Sequence, residues 1–325
     1  MKIGAKLAAL TAAAFLAAAG LRGQTPAAPA GASTAMHVQK LADGVWAADV
    51  PRGANVGWFL LGDGVVAVDS GQDAETAQEI LKQIAQTTGG KPVRALILTH
   101  SHADHSGGAR AFVAAGARVI SHESQAGTIL AFVTQASTDP KDPLTGKATV
   151  RPVVESISER AILVDGIHNI QIYHLGAAHT KGDLVVYLNS DKILFSGDVA
   201  LNGRLPFMQS PDVDPDGWVR VLEAISHVPV DKLVPGHGEI GPTKGIQESF
   251  AYVRTVTEMA NKFVRNGLPE ERLDAEIRSP ENSIPNLAMS DAHAANVKAA
   301  FHAVKEKTAR AAATPAAPAP TPKRP

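Results

Sequence analysis

The sequence predicts an α/β protein built as a four-layer αββα sandwich, with two sheets inside and helices outside. Three observations carry this expectation. Short apolar runs with strand character alternate with amphipathic helical stretches, and they do so in two successive sets rather than one. No repeat of fixed period is visible, which excludes solenoids and propellers. Nothing in the middle of the chain reads as a linker, so both sets belong to one folded body, expected over residues 36–310.

In the first set, residues 45–49, 57–61 and 65–69 read as strands. Gly62-Asp63-Gly64 joins the last two as a hairpin signal, because glycine reaches the backbone conformations a tight turn needs. Residues 73–86 place Ala77, Ile80, Leu81 and Ile84 on one helical face. Residues 95–98 form a continuous apolar run, the pattern of a strand buried on both faces, and the run ends at Thr99-His100. Residues 106–114 read as helix, 118–120 as strand and 123–133 as helix again. The second set has strands at 162–163, 170–173, 184–188, 193–195 and 232–234, with helices at 216–225, 243–265 and 291–308.

The two ends differ from the body. Lys2 and Lys6 precede an apolar run over residues 7–19 and a group of small residues, the pattern of a secretory signal peptide over residues 1–23. The run is shorter than the roughly 20 residues a membrane span needs, so no stable membrane insertion is expected after cleavage. A secreted or periplasmic protein is expected, a retained membrane anchor being the alternative reading of the same segment. Residues 24–35 are rich in Ala, Pro, Gly, Ser and Thr and read as a linker, and residues 311–325 as an Ala/Pro-rich tail; neither can bury a core.

Composition excludes several partners. Thirty-one basic and 32 acidic residues give a net charge of −1, and loss of Lys2, Lys6 and Arg22 with the signal would make it −4. That balance offers no electrostatic footprint for nucleic acid. Aromatic residues at 5% do not supply stacking platforms for single strands either. These numbers exclude partners and name none; a small-molecule substrate is the expectation that the motifs and resemblance below supply. The chain has no cysteine, so disulfides, thiolate metal ligands and a cysteine nucleophile are all excluded. Any metal must be held by nitrogen and oxygen.

The chemistry concentrates at His100-Ser101-His102-Ala103-Asp104-His105, directly after the buried strand. Three imidazoles and a carboxylate this close suit a transition-metal ion, at the strand's carboxyl end where α/β sites collect. Gly107-Gly108 would let the loop enter a helix at close approach. His179, Asp198 and His237 occupy similar contexts, each beside an apolar strand and a glycine, and each can project into a common pocket.

In this ordered set, HSHADH, GAAHTKGD, FSGD and PGHG, the chain resembles the metallo-β-lactamase superfamily over roughly residues 41–241. The resemblance implies the αββα fold and a pair of metal ions, zinc first, with iron or manganese also accommodated. It implies that His100, His102 and His179 hold one ion, that Asp104, His105 and His237 hold the other, and that Asp198 bridges them. A bridging aspartate is more similar to the general hydrolases of the superfamily than to its best-known zinc β-lactamases, which have cysteine or serine there. The implied activity is an exported hydrolase that cleaves a β-lactam, lactone or thioester with a metal-bridging hydroxide, Asp104 orienting the nucleophile. Another class the fold hosts is a mononuclear iron oxygenase acting on sulfur substrates, and a third is a binding protein without turnover.

Asp69, at the end of a strand, has two readings: it orients a ligand histidine, as the resemblance implies, or it caps the helix beginning near residue 73. Trp58 is a cleft wall or a core residue. Arg204, in the loop 199–207, is a carboxylate contact or a surface residue, and Lys181 is by default solvated. The remaining histidines, His37, His122, His168, His174, His227, His293 and His302, are read as structural or surface residues.

Overall fold

In the computed structural model, residues 35–313 are described, apart from 52, 147–151, 166–168, 280 and 283–289. The expected signal peptide and all but the last residue of the linker lie outside the described residues, as do His168 and the tail from residue 314 onward.

Strand alternation builds two sheets. The first takes β1 (His37–Ala42), β2 (Val45–Asp49), β3 (Val56–Leu61), β4 (Gly64–Val68), β5 (Val93–Ile97), β6 (Arg118–His122) and β7 (Val154–Ile157) side by side in chain order. Its strands are antiparallel up to β4 and parallel from β4 to β7. The second contains β8 (Arg160–Val164), β9 (Asn169–Tyr173), β10 (Val185–Leu188), β11 (Ile193–Gly197) and β12 (Lys232–Pro235), also adjacent in chain order. Only the β11–β12 pair is parallel in this sheet. The expected hairpin is present, with Leu61 paired to Gly64 across Gly62-Asp63 and Gly62 at φ 60°.

Which side of each strand is apolar decides the layering. On β4, Val66 and Val68 face the second sheet and pack with Val186, Leu188 and Phe195, whereas Val65 and Ala67 face away. Those outward residues pack under α1 (Ala74–Thr88), α3 (Ala109–Ala114) and α4 (Glu123–Thr134), meeting Ile80, Ile84, Phe112 and Ile129. On β10, Val186 and Leu188 point inward, while Val185 and Tyr187 pack under α5 (Pro215–Ser226), α6 (Lys244–Arg265) and α8 (Asp291–Ala313). The result is three apolar interlayers between helix, sheet, sheet and helix: the four-layer sandwich expected.

Several elements depart from expectation. The edge strands β1 and β7 were not anticipated; both are only partly buried and lack a continuous apolar run. The single helix expected at residues 106–114 is two pieces, α2 (Ala103–Ser106) and α3, so His105 lies within a helical turn. The break falls at Gly107-Gly108, because the chain there passes against its own Ser70–Gln72 backbone. A Cβ on Gly107 would stand 2.0 Å from the Gln72 carbonyl oxygen, and one on Gly108 would stand 2.2 Å from that of Ser70. The last helix runs to Ala313, past residue 308 and into the stretch read as tail, as alanine's helix propensity allows. A short helix, α7 (Leu273–Ile277), was also not foreseen.

Trp58 is a core residue: it is fully buried in the layer between the first sheet and α1, and its indole N–H donates to Thr87 Oγ1 at 2.9 Å. Among the described residues, no helix is long and apolar enough to cross a membrane.

Candidate metal centre

Four strands deliver the site from their carboxyl ends: Asp69 follows β4, His100 follows β5, Asp198 follows β11 and His237 follows β12. His102 and Asp104 arrive with the turn into α2, and His179 comes from the loop ahead of β10. With His105, carried by α2, seven candidate ligands from four separate stretches of chain thus converge, and Asp69 stands behind them.

They form two groups. In the first, His102 Nδ1 sits 3.0 Å from His100 Nε2 and 2.9 Å from His179 Nε2. In the second, Asp104 Oδ2 lies 3.0 Å from His237 Nε2 and 3.8 Å from His105 Nε2. Asp198 stands between the groups. Its Oδ2 is 3.6 Å from His179 Nε2, and its Oδ1 is 3.3 Å from His105 Nε2 and 3.6 Å from His237 Nε2.

Hydrogen bonds behind the cluster set which nitrogen of each ring points inward. His105 Nδ1 lies 2.7 Å from Asp69 Oδ2, and His179 Nδ1 lies 2.9 Å from the Phe207 carbonyl oxygen. Both Nδ1 atoms are therefore donors, and both Nε2 atoms are turned toward the centre. Thr99 Oγ1 donates to Asp69 at 2.8 Å and takes His100 Nδ1 at 3.2 Å, which gives His100 the same tautomer. Asp69 thus orients His105; the cap of α1 is Asp73, whose carboxylate accepts from Thr76 N. Asp69 holds a left-handed backbone conformation, φ 62°, anchored by its own N–H to Ile97 O at 2.8 Å and by Thr99 N–H to its Oδ1 at 2.8 Å. A non-glycine residue pays a steric penalty there, and such residues gather at functional sites.

Charge follows the same arrangement. Burial pulls His100 well below the ordinary histidine range, with His105 and His179 adding to it. Burial likewise lowers His102, and takes His179 down to about 4. His105 goes the other way: burial opposes its charge, but Asp69 and Asp198 together hold it well above the usual value. Asp198 is held well below the carboxylate range against burial by His105, His179 and His237. Asp104 is lowered too, its burial outweighed by the hydrogen bond with His237. At neutral pH the centre therefore holds anionic Asp104 and Asp198 beside neutral His100, His102 and His179, while His105 keeps a proton that a cation would displace.

The residues fit metal ions on the evidence of their own atoms. In the first group, His102 Nδ1 faces the Nε2 atoms of both His100 and His179 at 2.9–3.0 Å, a convergence of three ring nitrogens that a single cation can engage at once. In the second, His105 Nε2 and Asp198 Oδ1 are both buried without a hydrogen-bond partner. Ligands 2.0–2.1 Å from a tetrahedral zinc stand about 3.3 Å apart, and the donor separations here bracket that value. Each trio, His100–His102–His179 and Asp104–His105–His237, brings one ligand atom per residue within 4.8 Å of the others.

Sequence reasoning missed the residues that hold the loops. Asn55 donates to the carbonyl oxygens of Pro235 and Gly238, both at 2.9 Å, and its own N–H bonds Gly236 O at 2.7 Å, so it clasps the turn that carries His237. Asn202 binds the same turn from the other side, donating to Glu239 O and Pro242 O at 2.7 Å each. Trp218 packs against His179, ring centroids 5.4 Å apart, with its N–H on Val199 O. Only the partner atoms reveal these roles, since a lone asparagine in a loop carries no signal of its own. Lys181 and Arg204 are exposed. Among the other described histidines, His37, His227 and His302 are exposed, His122 and His174 stack on each other away from the cluster, and His293 is buried between α6 and α8.

The description of the metallo-β-lactamase superfamily matches residues 49–237, more than half of the chain. The chain belongs to that superfamily. It is 23% identical over 270 residues, 70% of this chain, to a linear primary-alkylsulfatase of a Pseudomonas species. It is 27% identical over 210 residues to an acyl-coenzyme A thioesterase of Homo sapiens, covering 57% of this chain and 72% of that one. The chain spans about half the length of the alkylsulfatase, 49%. Among solved structures, a metallo-β-lactamase from Pontibacter korlensis superposes with TM-score 0.55 at 24% identity, over 68% of this chain and 99% of that one, a likeness of fold.

Proposed function

We propose that this protein is an exported dinuclear metal-dependent hydrolase that cleaves a cyclic amide, an ester or a thioester. One observation carries the reading: Asp198 turns one carboxylate oxygen toward each of two complete donor trios, the arrangement that binds a pair of ions rather than one. His100, His102 and His179 would hold the first ion, Asp104, His105 and His237 the second, and Asp198 both. Zinc suits this nitrogen and oxygen set, which iron and manganese also satisfy.

When bound, the ions would supply Lewis acidity and bring the pKa of a water in the site toward neutrality. The protein's own residues do the rest. Asp104 is the only carboxylate of the cluster that is substantially solvent-accessible, 38% at its side chain against 8% for Asp198. With Oδ2 engaged by His237, its other oxygen is free to accept a proton from the attacking water and hold that water in line. Asp69 and the Phe207 carbonyl keep His105 and His179 in their inward-facing tautomers throughout. No serine or cysteine nucleophile is needed. The mononuclear iron oxygenase reading leaves the second trio, with the buried and unpartnered His105 Nε2, without a purpose.

Relatives named for sulfate-ester and acyl-thioester cleavage share this ligand pattern's family, so the bond cut is set by what lines the mouth. Phe207 is exposed there beside His179, their ring centroids 6.3 Å apart, and favours an ester or thioester with an apolar tail. The test is a panel of nitrocefin, aliphatic lactones, an acyl thioester and a phosphodiester, each with and without chelator. Chelator-sensitive cleavage of a lactam, lactone or thioester is expected; a fully metallated protein inert across the panel refutes the reading. Export is tested by N-terminal sequencing of protein from the periplasm or medium, where a start beyond about residue 19 is expected.

A further inference from the structure

Asn296 sits in α8, beyond the residues matched by the superfamily description, yet its side chain ends beside a residue of the metal centre. It is buried, and each of its hydrogen-bonding atoms is engaged. Nδ2 donates to the Pro206 carbonyl oxygen at 2.7 Å and to Tyr252 Oη at 3.0 Å, while Oδ1 accepts from Met208 N–H at 3.0 Å. Two of these bonds grip the chain on either side of Phe207. Between them, the Phe207 carbonyl accepts from His179 Nδ1 at 2.9 Å. Pro206 and Met208 are buried, so this segment is fixed at both ends while Phe207 alone faces outward.

The consequence for His179 is direct. An imidazole with Nδ1–H committed to a carbonyl must present its Nε2 lone pair, and that atom is the one 2.9 Å from His102 Nδ1. A shift of the Phe207 carbonyl would release the ring to rotate or to take the other tautomer, and the first trio would lose a donor. Tyr252 steadies Asn296 in turn, its hydroxyl lying 3.1 Å from His293 Nδ1. The C-terminal helix thereby reaches the centre through one amide side chain.

We propose that Asn296 is a positioning residue for the first metal, holding the Phe207 carbonyl where it fixes the tautomer and orientation of His179. The inference rests on the metal-centre reading above. Its readout is the affinity of each site for zinc alone, measured by titrating metal-free protein against a chromophoric chelator. Asn296→Ala is expected to weaken the first zinc by about tenfold, the lower end of what orienting partners of metal ligands contribute, and to leave the second within about twofold. Asn296→Asp keeps the acceptor for Met208 N–H but loses the donor to Pro206, and is expected to weaken the same site. Tyr252→Phe retains both grips on the loop and is expected to change neither affinity by more than about twofold.

A folded Asn296→Ala with both affinities unchanged overturns the proposal, and so does an equal loss in Tyr252→Phe, which would mark a general loosening of the helices. If the Asn296 variants do not fold, nitrogen-15 NMR of the metal-free wild-type protein decides. His179 is expected as the Nδ1–H tautomer with a slowly exchanging proton, and the Nε2–H tautomer overturns the proposal. Failure of the wild-type protein to bind zinc at all would instead remove the metal-centre reading itself.

Discussion

Gly236 lies immediately before His237, with its backbone against Asp198. A Cβ added there would stand 1.9 Å from Asp198 Oδ1, and 2.8 and 2.9 Å from the Gly197 carbonyl carbon and oxygen. Its φ is not left-handed, so Gly236→Ala introduces a steric demand and no backbone strain. An ordinary carbon–oxygen contact is about 3.3 Å, so some atoms must separate by about 1.4 Å. The Gly197 backbone blocks retreat of the turn in that direction, and Asn55 clasps it from the other side, which leaves the Asp198 carboxylate to move. Ligand constellations tolerate about 0.5 Å, and a misplacement near 1 Å reduces rates by about 100-fold. Gly236→Ala should therefore lose at least one ion and slow turnover by about two orders of magnitude. Overpacking itself should destabilise by about 1–3 kcal/mol, leaving the protein folded. Metal analysis by mass spectrometry, thermal unfolding and steady-state rates would be compared with wild type. A folded Gly236→Ala with full metal content and wild-type rate would show that Asp198 does not need its present position, and the bridging role would fall.

Further outcomes follow from the same geometry. Asp104→Asn keeps the shape but removes the base and should lower kcat by about 100-fold or more; an unchanged kcat would take Asp104 out of the mechanism. Asp69→Asn places an amide against His105 Nδ1 and should weaken the second ion about 10- to 100-fold, read by competitive zinc titration, with a second-site affinity unchanged from wild type as the contrary result. Asn55→Ala strips two carbonyls of their donor and should cost about 1–3 kcal/mol in chemical denaturation. Asp183, which accepts from Thr180 N–H and Oγ1, is pushed up to about 7 by burial. The native state holds its proton more tightly than the unfolded chain, so its contribution to stability is full below the ordinary value of 3.8 and is lost as pH rises through about 7. Asp183→Asn cannot ionise and should flatten the stability profile between those limits; an unaltered profile contradicts this.

The sequence was legible where chemistry or apolar pattern was dense. The continuous apolar run ending at Leu98 marks a central strand, and the imidazoles just after it mark the centre, because a strand end is where an α/β sheet exposes its residues. Strands with interleaved helices, recurring in two successive sets along the chain, were enough to indicate two sheets with helices outside. What stayed hidden was carried by single polar residues whose meaning lies in their partners. Asn55 reaches residues 235–238, Asn202 reaches 239 and 242, and Asn296 reaches 206 and 208, contacts made by tertiary packing alone. The edge strands β1 and β7 escaped for a related reason: half-solvated edges do not need an apolar pattern to pair. Asp69 had two local readings, and only the position of His105 beneath it separates them.

The central claim is that Asp198 joins two ions held by the two trios. Anomalous diffraction at the zinc edge, from crystals of protein purified without chelator, tests it most directly. Two peaks are expected about 3.5–4 Å apart, one among His100, His102 and His179 and the other among Asp104, His105 and His237, with Asp198 between them. A single peak, or two that leave Asp198 without a metal neighbour, would contradict the account.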